Sequence, residues 1–224
     1  MTTAAVRPDA PAPTPAAAVP GVRPARAEEA PTLAQVLAVA FHDDALTRWA
    51  FPDDTYRARI LPAFFRVFVD QCLAHQGVLT TDAVDAALLF LPPGVWEQPS
   101  HLADDADHAA RALDAAIDAA AHPESARRLA AITHLQARRH PRHRPHYYLA
   151  FLGVHPDARH SGAGAALLAA VMAEIDASGQ AAYTEASSRG GAHLADIGGF
   201  TRFGEAIALP GGGPRLHPMW RGPR

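Results

Sequence analysis

Residues 147–186 constrain the fold of this chain more than any other stretch. An apolar run, "YYLAFLGV", leads into "HPDARHSGAG", then an alanine- and leucine-rich segment to about 178, then "AAYTEAS". The first and last runs read as strands. The segment between reads as a helix, with Gly164, Leu167, Leu168, Val171, Met172 and Ile175 on one face. Strand, helix and strand in that order predict two parallel neighbours bridged by a packed crossover helix.

The loop inside this unit is shaped for an anion. Gly162 and Gly164 remove two side chains where backbone would approach a ligand. They stand where the helix begins, so free amides and the positive end of its dipole converge there. No lysine follows the glycines, which excludes a nucleoside-triphosphate loop. A dinucleotide-binding turn finds Gly162, Gly164 and, further on, Glu185. It lacks the third glycine, since position 167 is leucine, and its turn would have to follow the strand directly, whereas Val154 and Gly162 are well separated.

The rest of the chain supplies the other layers. Residues 1–20, rich in proline and alanine without a basic start and apolar run, read as a flexible tail and not a secretory signal. Residues 21–224 read as one domain. "GVRPARA" predicts a short strand, and a helix follows with Leu33, Val36, Leu37 and Ala40 in register and Thr32 as its N-cap. A second helix covers "YRARILPAFFRVFVDQCLAHQ", where Pro62 suits the first turn better than the middle. "GVLTTD" and "DAALLFL" predict a strand pair. An alanine-rich segment, 100–140, divides into two helices at His122-Pro123, and a short helix "GGAHLADIG" and a terminal strand pair close the chain. The fold class is therefore mixed α/β (α+β), a twisted mixed sheet flanked by helices.

Composition narrows the partners. The 224 residues carry a net charge of −3 with histidine neutral, so no basic footprint for nucleic acid exists. No apolar run reaches the ~20 residues of a membrane span. Cys72 is the single cysteine, in an apolar helical context that implies an inert buried thiol. His140, His143 and His146 lack a carboxylate or cysteine at ligand spacing, so they read as a solvated loop and no metal is expected. A cytoplasmic protein, monomer or homodimer, is the expectation.

With these residues in place, Arg159-His-Ser-Gly162-Ala-Gly164, set past the strand "LGV", resembles the acetyl-coenzyme-A motif of the GNAT acetyltransferase superfamily. The wider order "HRPHYYLAFLGVHPDARHSGAGAALL…YTEAS…GGF…GPR" is similar to puromycin N-acetyltransferases and their actinobacterial relatives over roughly residues 22–221. The resemblance implies a sheet splayed at its centre, with acceptor walls from the early helices and the 100–140 insertion. It also implies an acetyl-CoA-dependent N-acetyltransferase acting on a small-molecule amine, such as an antibiotic or metabolite. Transfer of another acyl group, transfer to a hydroxyl, or CoA binding without catalysis are the alternatives. The cofactor would lie along Leu152, Gly153 and Val154 and against Arg159, His160, Ser161, Gly162, Ala163, Gly164 and Ala165.

The resemblance places a tyrosine acid in the short helix before "GF". Here Ala195 stands at that position and Gly191 at that of a nearby asparagine. His193, Tyr183 or water would then protonate the leaving thiolate, and His193 is taken as the candidate. Glu185 matches a carboxylate of the related enzymes, either the general base or a structural group. Tyr148 reads as pocket lining. Trp49, Phe51, Phe64, Phe68, Trp96 and Trp220 are candidates for core or acceptor wall, and Asp43 and Asp44 read as a solvated turn, the alternative being a pair that neutralises a cationic acceptor.

Overall fold

In a computed structural model the structure describes residues 21–95 and 111–224. The expectations for the 1–20 tail, for Trp96 and for most of the first half of the 100–140 segment lie outside those residues; 111–116 are helical, as expected. The sheet strands are β1 (Val22–Pro24), β2 (Val78–Thr81), β3 (Ala86–Leu91), β4 (His146–Val154), β5 (Ala181–Ala186), β6 (Thr201–Arg202), β7 (Ile207–Ala208) and β8 (Arg215–Arg221). Their order is β1-β2-β3-β4-β5-β8-β6, with β7 pairing β8. Every pair is antiparallel except β4–β5, the parallel pair foreseen from the crossover.

Helices α1 (Ala30–Phe41), α2 (Ala45–Ala50), α3 (Asp54–Ala74), α4 (Pro123–Arg139), α5 (Ala163–Ser178) and α6 (Arg189–Ile197) flank the sheet. All six residues of β3 are buried, and their alternation divides the core in two. Ala87, Leu89 and Leu91 join Leu33, Leu37, Phe64 and Phe65 of α1 and α3. Ala86, Leu88 and Phe90 join Leu167, Val171 and Ile175 of α5 on the opposite face. The residues foreseen on one face of the crossover helix thus bury against the sheet.

Two local expectations are corrected. Thr32 is not a cap, because α1 begins at Ala30 with Glu29 at its N-cap position. Glu29 is drawn there by Arg23, at 2.7 and 2.9 Å, and by the amide of Arg26 at 2.8 Å, and Pro31 suits the first turn. Pro62 sits inside α3, which starts earlier than foreseen because the Asp53 carboxylate accepts the Tyr56 N–H at 2.6 Å. Burial of Tyr56, Ile60, Leu61, Phe64 and Phe65 offsets the hydrogen bond a mid-helix proline removes, a loss of about 3 kcal/mol.

The sheet opens at its middle. Pairing of β4 with β5 covers 146–149 against 181–184 and stops, whereas pairing of β4 with β3 runs on to Val154. Along β3, Leu89 faces Phe151 and Phe90 faces Leu149, so Ala150 is an extra residue in β4. A bulge bends its strand and disturbs the ladder on it, and here it falls where β5 departs. Beyond Ala150 one edge of β4 has no strand beside it among the described residues.

Candidate active site

The splay leads into a cavity of about 620 Å³ that reaches both sheet faces. On one side lie Leu152, Gly153, Val154 and Arg159; on the other, Phe51, Phe64, Phe68, Phe151 and Gln136; Tyr148 and Glu185 stand between. The His155 N–H donates to Asp85 at 2.8 Å, on the β3 side. Antiparallel alternation turns Gly153 to that same side and directs the amides of Leu152 and Val154 to the open edge. Gly153 is glycine for packing: a Cβ there would meet Leu37 at 2.8 Å and Ala40 and Phe41 at 3.2 Å.

The loop after β4 makes a short helical turn, 156–158, then two left-handed residues, His160 (φ 69°) and Gly162 (φ 87°). α5 starts at Ala163, and its first i→i−4 bond runs from Ala166 to the Gly162 carbonyl at 2.9 Å. The amides of 163–165 precede that bond, and the Ser161 hydroxyl accepts the Ala163 N–H at 3.2 Å. His160, Ser161, Gly162 and Ala165 are exposed, and a Cβ on Gly162 would meet nothing within 4 Å. A Cβ on Gly164 would come within 3.3 Å of Val154, so the helix start lies against the open strand end. An open strand edge joined to an unfilled helix start suits a long ligand with an amide-bearing arm and a diphosphate.

Glu185 occupies the corner of the splay. It follows Thr184, the last β5 residue paired with β4. Its Oε2 accepts from the Tyr148 hydroxyl at 2.9 Å and from the Gln136 amide at 3.4 Å, while Oε1 is buried with no hydrogen-bond partner among the described residues. Burial pushes its carboxyl up to about 7, against the pull of Tyr148, Tyr183 and Gln136. Burial, with the neighbouring Glu185 charge, likewise holds the Tyr148 and Tyr183 phenols well above their ordinary range.

The histidine cluster is not a solvated loop. His140 ends α4 and His146 begins β4; both are buried, with Nε2 atoms 3.0 Å apart. The His146 Nδ1 lies 2.9 Å from the Arg144 carbonyl, so it carries a proton there, and its Nε2 shares a hydrogen bond with the Nε2 of His140. β4 starts one residue earlier than its apolar run suggests, which draws His146 inward against Tyr183 and Trp220. The His140 ring lies edge-on to Tyr148 and Tyr183, and burial, with His146 and Arg142 nearby, lowers it to about 3. His143 stays exposed, beside Trp220.

Other candidates separate by position. His193 is exposed on α6 and does not line the cavity, whereas Gly191 and Ala195 do. Trp49 and Trp220 are likewise off the cavity. Cys72 is buried at its wall with its thiol pushed up to about 12, consistent with inertness. Asp43 is exposed, as expected of a solvated turn. Asp44 is not: one oxygen caps α2 through the Leu46 N–H at 2.8 Å, and the other accepts from Ser187 at 3.2 Å. Gln136, the glutamine against Glu185, was not anticipated. It lies one helical turn before His140, and only knowledge of where α4 docks would have pointed to it.

Solved structures share this architecture over nearly the whole chain. A Corynebacterium glutamicum protein described as histone acetyltransferase HPA2 and related acetyltransferase is 24% identical over 92% of this chain and 97% of its own, with a TM-score of 0.59. The polyamine N-acetyltransferase of Drosophila melanogaster is 14% identical over 90% and 98%, at 0.52. Arylalkylamine N-acetyltransferase 2 of Aedes aegypti is 9% identical over 90% and 97%, at 0.53. No family model and no curated protein matches the chain. What is shared at these identities is architecture: the splayed sheet, its crossover helix and flanking layers are the fold of the GNAT acetyltransferases.

Proposed function

We propose that this chain transfers an acetyl group from acetyl-coenzyme A to the amine of a small molecule, a metabolite or an antibiotic. One observation carries the reading: a carboxylate with an enclosed, unengaged oxygen shares a cavity with an open strand edge and with Arg159, beyond which, outside the cavity lining, a glycine-bearing helix start lies against that edge. Bound acetyl-coenzyme A would supply the activated acyl group as a thioester. Arg159 and the amides of 162, 164 and 165 would hold its diphosphate, His160 and Ser161 would border it, and the edge of β4 would pair with its amide-rich arm.

In the transfer, the Leu152 N–H donates to the carbonyl oxygen as it gains charge. Glu185 takes one proton of the docked ammonium on Oε1, the neutral nitrogen then bonds the acyl carbon, and its second proton passes to water, while Tyr148 and Gln136 hold the carboxylate in place. The carbon–sulfur bond then breaks with the electron pair on sulfur. A thiol with a pKa of about 8.5 leaves tolerably as thiolate, so Ala195 in place of an acid does not stop the reaction. His193 is too far round α6 to be preferred over water as proton source.

A second reading, transfer of a longer acyl group, draws on Gly191 and Ala195, which leave space at the cavity wall. Free-thiol release from acetyl- and longer acyl-coenzyme A, with an amine panel, tests both. Amine-dependent release from acetyl-coenzyme A supports the first. Better release from the longer donor supports the second, and tight coenzyme A binding without release for any acceptor overturns both.

A further inference from the structure

The acceptor side of the cavity carries its own chemical signature. Phe51, Phe64, Phe68 and Phe151 line it, with ring centroids 5.1 Å apart for Phe64–Phe68 and Phe68–Phe151 and 5.5 Å for Phe51–Phe64. Facing them from α4 are Leu129 and Ile132.

Charge is scarce there. Among the described residues the charged lining is Asp43, Asp44, Glu185 and Arg159, and Arg159 belongs to the loop after β4. Both Asp44 oxygens are engaged, by Leu46 and Ser187. The Asp43 side chain is 86% exposed and pairs with His42. A cation entering among the rings therefore meets one buried carboxylate with a vacant oxygen, that of Glu185. Gln71 and Thr133 line the cavity without charge.

Resting on the acyl-transfer reading, we infer that the acceptor is a monoamine on an apolar, ring-bearing body, and not a polyamine or an amino-guanidine. Its ammonium docks at Glu185 and its ring lies among the phenylalanines of α3 and β4. Each methylene buried against that wall favours binding by about fourfold. Among the described residues a second cation would find beyond Glu185 only the exposed Asp43 carboxylate, already paired with His42, and ring faces recover only part of the water it loses.

The test is a panel at saturating acetyl-coenzyme A: 2-phenylethylamine and tryptamine against agmatine and spermidine, read as kcat/KM by thiol release. The expected result is a preference for the aromatic monoamines of about 100-fold or more. The same order is read without turnover from the rise in melting temperature each amine gives to protein saturated with coenzyme A. Agmatine or spermidine equal to the monoamines in either readout overturns the inference and leaves acyl transfer standing. Thiol release with none of the four, despite coenzyme A binding, overturns both. Gln71→Glu, or Thr133→Glu as a second variant, places a carboxylate at the cavity wall. Either should raise the spermidine-to-phenylethylamine ratio about tenfold, and an unchanged ratio in both contradicts the proposed path of the acceptor.

Discussion

The glycine loop at 159–165, which reaches the cleft through Arg159, and the carboxylate corner at Glu185, which lines it, are built by opposite means. In the loop, most residues are exposed, two have left-handed backbone, and the polar groups it offers are amides at a helix start. In the corner the polar groups are part-buried side chains from three separate elements, α4, β4 and β5, with the Oε1 of Glu185 fully enclosed. Exposed amides cost little to maintain while they wait for a ligand. A buried carboxylate costs stability, and under the proposed function that cost keeps a proton acceptor near neutrality.

Mutations at the two places should therefore differ in kind. The largest effect is expected at the corner: Glu185→Gln should lower kcat by about 10²–10⁴-fold while coenzyme A affinity stays within about twofold. Wild-type activity should rise through pH about 7, as the carboxyl loses its proton, and that acid limb should vanish in the variant. An unchanged pH–rate profile returns Glu185 to a structural role.

The same substitution should stabilise the fold. A carboxyl raised from 4.5 to about 7 binds its proton more tightly folded than unfolded. Its contribution is therefore fully present below pH 4.5 and lost as pH rises through 7. Glu185→Gln does not lose it, so denaturant unfolding should show the variant gaining on wild type across that window, by up to on the order of 3 kcal/mol. A difference that stays flat with pH contradicts the burial account.

At the loop, Gly162→Glu should weaken coenzyme A binding by roughly 100-fold, because it sets a negative charge before the helix start. Calorimetry measures it, and unaltered affinity refutes the loop's role. Smaller again is His140→Leu behind the corner, which removes the buried 3.0 Å contact to His146, a loss of about 0.5–1.5 kcal/mol. Thermal unfolding reads that loss. A neutral result would mean that the pair adds nothing to the docking of α4.

The same contrast explains what was legible in the sequence. The strand–loop–helix–strand unit lies in one continuous stretch, so its glycines, arginine and helix face all showed at fixed spacing. The corner was half visible. Glu185 and Tyr148 were marked, but Gln136 was not, because its place depends on how α4 packs and no local pattern encodes that. His140 and His146 looked like loop because of the prolines and arginines around them. The rings that bury them come from residues 183 and 220. Pro62 misled because tertiary burial of α3 outweighed a local helix rule, and His193 stood two positions from Ala195, which on a helix is another face.

Amide chemical shifts during a coenzyme A titration test the central claim most directly, since the claim concerns backbone groups. The account predicts that the largest changes fall at 159–165 and at Leu152 and Val154, with β1, β2 and the exposed face of α3 unmoved. Changes clustered elsewhere, or none at saturating coenzyme A, would contradict it.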